Sequence, residues 1–181
     1  MTSNKEQEDN GSGEEDLGTY TDQIFDDYDY ENDEEAARRR TDLVFHGLIE
    51  GLHGMTDRQL VEWVLETGLE LDSSQYIEEV DRFGLDRENQ VRPIRVKAPT
   101  VEKRNQVLRR EKMLRQQADF RRLRIYIQPW LSRRQQMIAK ELRKKWTEMR
   151  RDGYRNVAIS RDNIVQHVNG KPDVVLYTAR T

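Results

Sequence analysis

The chain has 181 residues, of which 35% are hydrophobic and 36% are charged, and its net charge is −3. This length is enough for one ordinary domain and a small second one, but not for a large enzyme. The chain contains no cysteine, which excludes disulfides, thiol catalysis and thiolate zinc sites, and its three histidines are too scattered to indicate a metal site.

The small net charge conceals two segments of opposite sign. Up to Ala36 the sequence has fourteen acidic residues against one basic residue, so this segment carries about −13 and the remainder +10. Residues 92–151 contain twenty Lys and Arg against five Asp and Glu. Such a surplus predicts a polyanionic partner.

Residues 1–40 are predicted to be an acidic disordered tail, because charge of one sign dominates and no apolar periodicity is sustained. Four aromatic residues interrupt this composition: Tyr20, Phe25, Tyr28 and Tyr30. Three interpretations stay open, namely a solubilising tail, an intramolecular mimic of nucleic acid that competes for the basic region, and a binding motif for another protein.

Residues 41–129 show alternating and helical apolar patterns in the order strand, helix, strand, strand, helix, strand. The first helix is expected to have Thr56 or Asp57 as its N-cap, and the second Thr100. This order predicts an α+β, ferredoxin-like βαββαβ domain, with a four-stranded antiparallel sheet and two helices on one face. The predicted elements are, in order, "LVFHGLIE", "TDRQLVEWVLETGL", "QYIEEVDRFG", "RPIRVKA", "TVEKRNQVLRREKMLR" and "LRIYIQP".

Strand alternation predicts which side chains lie on the open face of this sheet. RNA-recognition motifs bind single-stranded RNA on that face, with bases stacked on aromatic side chains. The third strand here has no aromatic residue, so charge is expected to contribute more than stacking. The predicted open-face residues are Val44, His46, Arg95, Lys97, Arg124, Tyr126 and Gln128.

Residues 130–181 are predicted to form a small C-terminal domain. A basic helix is expected in "RRQQMIAKELRKKWTEMRRDGY", followed by a hairpin with its turn near residues 161–163 and by the segment "DVVLYT". The packing side of the helix is predicted to comprise Met137, Ile138, Leu142, Trp146 and Met149.

The order and spacing of four segments resemble the RNA-binding protein of the first reading frame of LINE-type, non-LTR retrotransposons and its transposon-derived relatives. The segments are "DRFG", "RPIRVKA" with "EKRNQVLRREKMLR", "IYIQPWLS", and the basic helix leading to "DGYRNVAISRDNIV". The resemblance covers residues 43 to about 167. It implies an atypical RNA-recognition motif with a C-terminal domain, which binds single-stranded nucleic acid, coats RNA and acts as a nucleic-acid chaperone.

By matched position, the resemblance implies contacts to RNA, or a place in the lining of an RNA-binding cleft, for Arg82, Arg95, Lys97, Tyr126 and Arg155. Arg82 has a structural alternative, an ion pair with a loop residue such as Asp86. Family members trimerise through an N-terminal coiled coil, which the acidic N-terminus here does not support because it lacks heptads.

The expected partner is therefore single-stranded RNA, with single-stranded DNA and self-association as further alternatives. No nucleotide-binding glycine loop, catalytic carboxylate pair or activated nucleophile indicates an enzyme. No apolar run of membrane-spanning length and no signal peptide is present, so we expect a soluble protein in a cytoplasmic ribonucleoprotein, with the nucleus as the alternative. The rival interpretation is a protein-interaction module with a degenerate RNA-recognition-motif fold.

Overall fold

The computed structural model describes Tyr28, residues 30–160 and residues 162–179. The protein is α+β, with a four-stranded and a three-stranded antiparallel sheet. Its helices are α1 (Glu34–Arg38), α2 (Asp57–Trp63), α3 (Val101–Arg110), α4 (Lys112–Gln116), α5 (Ala118–Arg122) and α6 (Arg133–Arg151). Its strands are β1 (Asp42–His46), β2 (Glu79–Arg82), β3 (Ile94–Lys97), β4 (Tyr126–Pro129), β5 (Val157–Ser160), β6 (Asn163–Gln166) and β7 (Val174–Thr178).

Regular structure begins nearer the N-terminus than the sequence predicts. The tail was expected to extend to residue 40, but a 3₁₀ turn spans Tyr30–Asn32 and α1 follows it. The Asp33 side chain caps α1 by accepting a hydrogen bond from the Ala36 nitrogen at 3.0 Å, and Ala36 is buried. The predicted disorder of residues 1–27 lies outside the described residues.

The larger sheet has the strand order β2-β3-β1-β4. One face is apolar, because alternate residues such as Phe45, Ile94 and Val96 are fully buried. They share one core with α2 and α3, which contribute Leu60 and Val107 among others. The predicted capping threonines are confirmed, since Thr56 and Thr100 each accept a backbone hydrogen bond at the start of a helix.

The last predicted strand begins later than expected. Leu123 and Arg124 form a turn after α5, in which the Arg124 nitrogen donates to the Arg121 carbonyl at 3.1 Å and Arg124 has a φ of 55°. β4 therefore starts at Tyr126. The prediction that Arg124 lies in a strand on the open sheet face is wrong, because its backbone is left-handed and ends a helix.

The C-terminal region consists of α6 and the three-stranded sheet β5-β6-β7. Ser132 and Gln135 form a capping box at the start of α6. The helix packs on the sheet through Ile138 and Leu142, with Trp146 and Met149 partly buried beside them. Met137 was predicted to pack there too, but it is 66% exposed. Leu142 lies five residues further along the chain, so the two side chains are about 140° apart around the helix.

No helix in the described part of the chain combines the length and the apolar character needed to cross a membrane.

The Trp146 ring joins α6 to the small sheet. Its Nε1 donates to the Val157 carbonyl at 3.0 Å, and the ring contacts the C-terminal core. We expect Trp146→Ala to lower the free energy of unfolding of this region by about 3 kcal/mol, measured by urea denaturation. Trp146→Phe keeps most of the apolar contact and should cost only about 1 kcal/mol, for the lost hydrogen bond. Equal midpoints for Trp146→Ala and wild type would contradict this role.

Candidate nucleic-acid interface

The sheet face opposite α2 and α3 divides into two halves, and carboxylates occupy the first. Arg95 on β3 lies directly across from Asp81 on β2. Its guanidinium donates to Asp42 Oδ2 at 3.1 Å, to Glu79 Oε2 at 3.0 Å and also to Asp81. Burial alone would lower the pKa of Arg95, but its hydrogen bonds to these three carboxylates outweigh burial and raise it.

Lys97 lies beside Arg95 and is paired in the same way. Its Nζ is 3.2 Å from Glu78 Oε2 and 3.5 Å from Glu79 Oε1. The hydrogen bond to Glu78 is the largest cause of the raised pKa of Lys97. Both cations stay charged, yet they are compensated by carboxylates. This half of the face is therefore not the surface of free positive charge that the sequence predicted.

Arg82 lies on the covered side of the sheet, at the level of Ile94. Its side chain is only 4% exposed. Nε and Nη2 donate to Asp57 Oδ1 at 3.0 and 2.5 Å, and Nη1 donates to the Leu48 and Arg92 carbonyls at 2.7 and 2.6 Å. The guanidinium thus bonds α2 and two loops, and the predicted loop partner Asp86 is replaced by Asp57.

The two other predicted cations lie in loops. Arg124 is exposed in the turn before β4. Arg155 is exposed between α6 and β5, where its carbonyl accepts a hydrogen bond from Gln166 Nε2 at 3.2 Å. The structure brings neither of them to the carboxylate-rich half of the sheet face.

The second half of the face forms one side of a groove of about 430 Å³. Residues of the sheet, of the segment after β4 and of α6 line the groove, and we call the sheet side its floor and the α6 side its wall. Trp130, in the segment after β4, packs on Phe83, with ring centroids 5.1 Å apart. The lining residues are Val44, His46, Phe83, Gln128, Pro129, Trp130, Leu131, Gln136, Lys140 and Arg143.

Two aromatic rings stack at the edge of this groove. His46 and Tyr126 occupy paired positions on β1 and β4, and their rings are nearly parallel, with centroids 4.4 Å apart and an interplanar angle of 6°. Because β4 is an edge strand, the outer side of Tyr126 has no strand beside it, and the residue is 39% exposed. Burial lowers the pKa of His46 and raises that of Tyr126, so both rings are neutral near pH 7.

The wall of the groove carries positive charge. α6 contains eight Lys and Arg against two Glu, and it turns Lys140 and Arg143 toward the groove. Arg143 Nε donates to the Ala139 carbonyl of its own helix at 3.1 Å. Within the described ranges, neither cation has a carboxylate at ion-pair distance.

Sequence reasoning missed seven of the ten lining residues, including Phe83, Trp130, Lys140 and Arg143. The helix was expected to be basic everywhere outside its packing side, and no single basic face was distinguished. A usable signal was present, because Gln136, Lys140 and Arg143 recur at intervals of four and three residues and so share one helix face.

Comparison of the chain with protein-family models, curated proteins and solved structures finds no match. In the part of the chain that the structure describes, no group of His, Asp and Glu side chains is arranged to hold a metal ion.

Arg82 generates the first prediction for this region. Arg82→Gln should lower the free energy of unfolding by about 2 to 3 kcal/mol, because it removes the hydrogen bonds of a buried guanidinium to Asp57 and to two carbonyls. Urea denaturation measures the change. Arg87→Gln, at an exposed loop position, is the matched control and should leave stability within about 0.5 kcal/mol. A stable Arg82→Gln protein with impaired RNA binding would show instead that Arg82 contacts RNA and does not stabilise the fold.

His46 generates a pH prediction. Burial lowers its pKa from the ordinary value of 6.5, so below that value the unfolded chain binds the proton more readily than the folded one. The free energy of unfolding should therefore fall as pH drops through about 6.5 and beyond, while above that range the contribution is constant. His46→Phe should make this fall shallower in urea denaturation at stepped pH. An unchanged pH dependence in His46→Phe would exclude His46 as the source.

Proposed function

We propose that the chain binds single-stranded nucleic acid, RNA in the first place, in the groove between the sheet and α6. The observation that carries the proposal is the combination of aromatic rings on the floor and edge with two cations on the wall. Stacking on aromatic rings and neutralisation of phosphates are the two interactions by which proteins hold single strands.

The fold supports this proposal. Four antiparallel strands with helices packed on one face are compatible with the ferredoxin-like arrangement of an RNA-recognition motif. We propose such a domain for residues 41–129, followed by the C-terminal unit. The resemblance to LINE-type retrotransposon proteins adds a role in coating RNA and in nucleic-acid chaperoning, within a cytoplasmic or nuclear ribonucleoprotein.

The groove favours single strands over duplexes. Its volume is within the range of sites for one small ligand, so it is large enough for an unpaired base. Bases in a duplex are stacked on one another and do not present their flat faces to a protein ring. We therefore expect weak preference for sequence and clear preference for unpaired strands.

The proposed roles differ among the groove residues and the residues that the sequence singled out. Tyr126 stacks on a base, and Lys140 and Arg143 contact phosphates. Arg124 and Arg155 are exposed and are proposed as outer contacts for a strand that leaves the groove. Arg95 and Lys97 contribute less, because carboxylates already bind them, and Arg82 holds the fold. The proposed activity of the site is binding of nucleic acid, without a cofactor.

A protein-interaction module is the second candidate, and one surface favours it. Three apolar side chains at the loop end of the sheet are solvent-exposed: Ile49 at 46%, Leu85 at 72% and Val91 at 43%. Exposed apolar clusters often mark protein contacts. Salt-sensitive RNA binding that is unchanged by Leu85→Ser and Val91→Ser would favour nucleic-acid binding and show that it does not depend on this apolar surface.

The groove cations give the next prediction. Lys140→Gln with Arg143→Gln should weaken binding of every single-stranded sequence alike and flatten the salt dependence by about 0.7 per lost contact. A fluorescence-anisotropy titration at several salt concentrations measures both. Arg109→Gln with Lys112→Gln removes the same charge from α3 and α4 and serves as the control. Equal losses in both double variants would show that net charge, not the groove, determines affinity.

Tyr126 tests stacking separately from charge. Tyr126→Ala should weaken binding by about 1 to 3 kcal/mol and leave the salt dependence nearly unchanged, because no phosphate contact is lost. Tyr126→Phe keeps the ring and should bind like wild type in the same titration. If Tyr126→Phe is as weak as Tyr126→Ala, the hydroxyl rather than the ring makes the contact.

A further inference from the structure

The segment of residues 20–27 has the chemistry of a ligand for the groove. Its sequence, "YTDQIFDD", places three aspartates among Tyr20, Ile24 and Phe25. A single strand of nucleic acid likewise combines negative charge with flat apolar rings. The groove offers the complementary groups, namely aromatic rings, Leu131 and two cations.

The chain enters the described structure close to one end of that groove. Tyr28 OH donates to Asp33 Oδ2 at 2.6 Å, and Ser132 Oγ donates to the same oxygen at 2.6 Å. Ser132 is the N-cap of α6. Tyr28 also packs against the C-terminal core, and so does Leu131, which lines the groove. The residues before Tyr28 are therefore tethered at the start of the helix that forms the groove wall.

The tether is short enough to hold the segment near the groove. Lys140 lies eight residues beyond Ser132, which is about 12 Å along the helix axis. Eight extended residues span at most about 27 Å, so residues 20–27 reach past Lys140 from Tyr28. A tethered segment of this length is present at an effective concentration in the millimolar range.

We propose that residues 20–27 of this chain occupy the groove in the absence of nucleic acid, with the aspartates near Lys140 and Arg143 and Phe25 on the aromatic floor. The segment acts as an internal competitor, a consequence that rests on the proposed function. Nucleic acid must then displace it, so binding is selective for strands that neutralise the groove cations better than three aspartates do.

The absence of cysteine allows a direct test by site-directed crosslinking without nucleic acid. Gln23→Cys is combined with Gln136→Cys in the groove, or with Met137→Cys as the control. Met137 adjoins Gln136 in sequence, at the same tether distance, but it is exposed outside the groove. A short bismaleimide should crosslink the Gln136 pair about tenfold faster at low salt. This preference should disappear at high salt, because screening weakens the attraction.

Charge variants identify the segment that docks. Asp22→Asn, Asp26→Asn and Asp27→Asn together should abolish the preference for position 136. Glu14→Gln, Glu15→Gln and Asp16→Asn remove the same charge farther from Tyr28 and should preserve it. Equal crosslinking of positions 136 and 137 in the otherwise unchanged chain would overturn the proposal, and so would a preference that survives the first set of substitutions.

Addition of a single-stranded oligouridine separates this inference from the proposed function. If it slows crosslinking at position 136, the segment and the nucleic acid share the groove. If the preference for position 136 stands but the oligonucleotide neither binds nor slows crosslinking, internal docking holds and nucleic-acid binding in the groove is wrong. Strong oligonucleotide binding with no preference for position 136 leaves the proposed function intact and refutes the internal competitor.

Discussion

Asp42 connects the three parts of the protein. It is 1% exposed, and its Oδ2 accepts hydrogen bonds from Arg39 and Arg95, each at 3.1 Å. Its carbonyl accepts from the Trp130 nitrogen at 2.9 Å. A buried carboxylate requires such partners, because an unpaired buried charge is strongly destabilising. Asp42 thereby joins the N-terminal segment, the sheet and the connection to α6, and these contacts set the position of the groove wall relative to its floor.

The pairing of Asp42 with Arg95 also divides the sheet face into a half with paired charges and a half without them. Arg95 bonds Asp42 and two carboxylates from β2, so the β2-β3 half presents paired charge. Apart from the buried Asp42, strands β1 and β4 carry no carboxylate, and α6 adds cations beside them. For this reason we propose the groove, and not β2, as the binding surface for a polyanion. Cations that line a groove focus the electrostatic field into it more strongly than cations on an open surface do.

Local patterns predicted the elements better than the site. The caps at Thr56 and Thr100 and the alternation around Phe45 and Ile94 depend on neighbouring residues, so the sequence displays them directly. The pairing of Arg95 with Asp81 depends on the register between β2 and β3, which alternation does not specify. Arg124 was misplaced because the alternating pattern continues through a helix end. Trp130 and Lys140 line the same groove only because of the position of α6, which no local pattern encodes.

The central claim is that single strands bind in the groove and not on the β2-β3 half of the sheet. Photocrosslinking of a single-stranded RNA containing 4-thiouridine, followed by mass spectrometry of the labelled peptides, tests it most directly. The account predicts adducts on Tyr126, Trp130 or Phe83, and their loss in competition with unlabelled single strands but not with duplex. Adducts confined to β2, β3 or the helices on the covered face would contradict it.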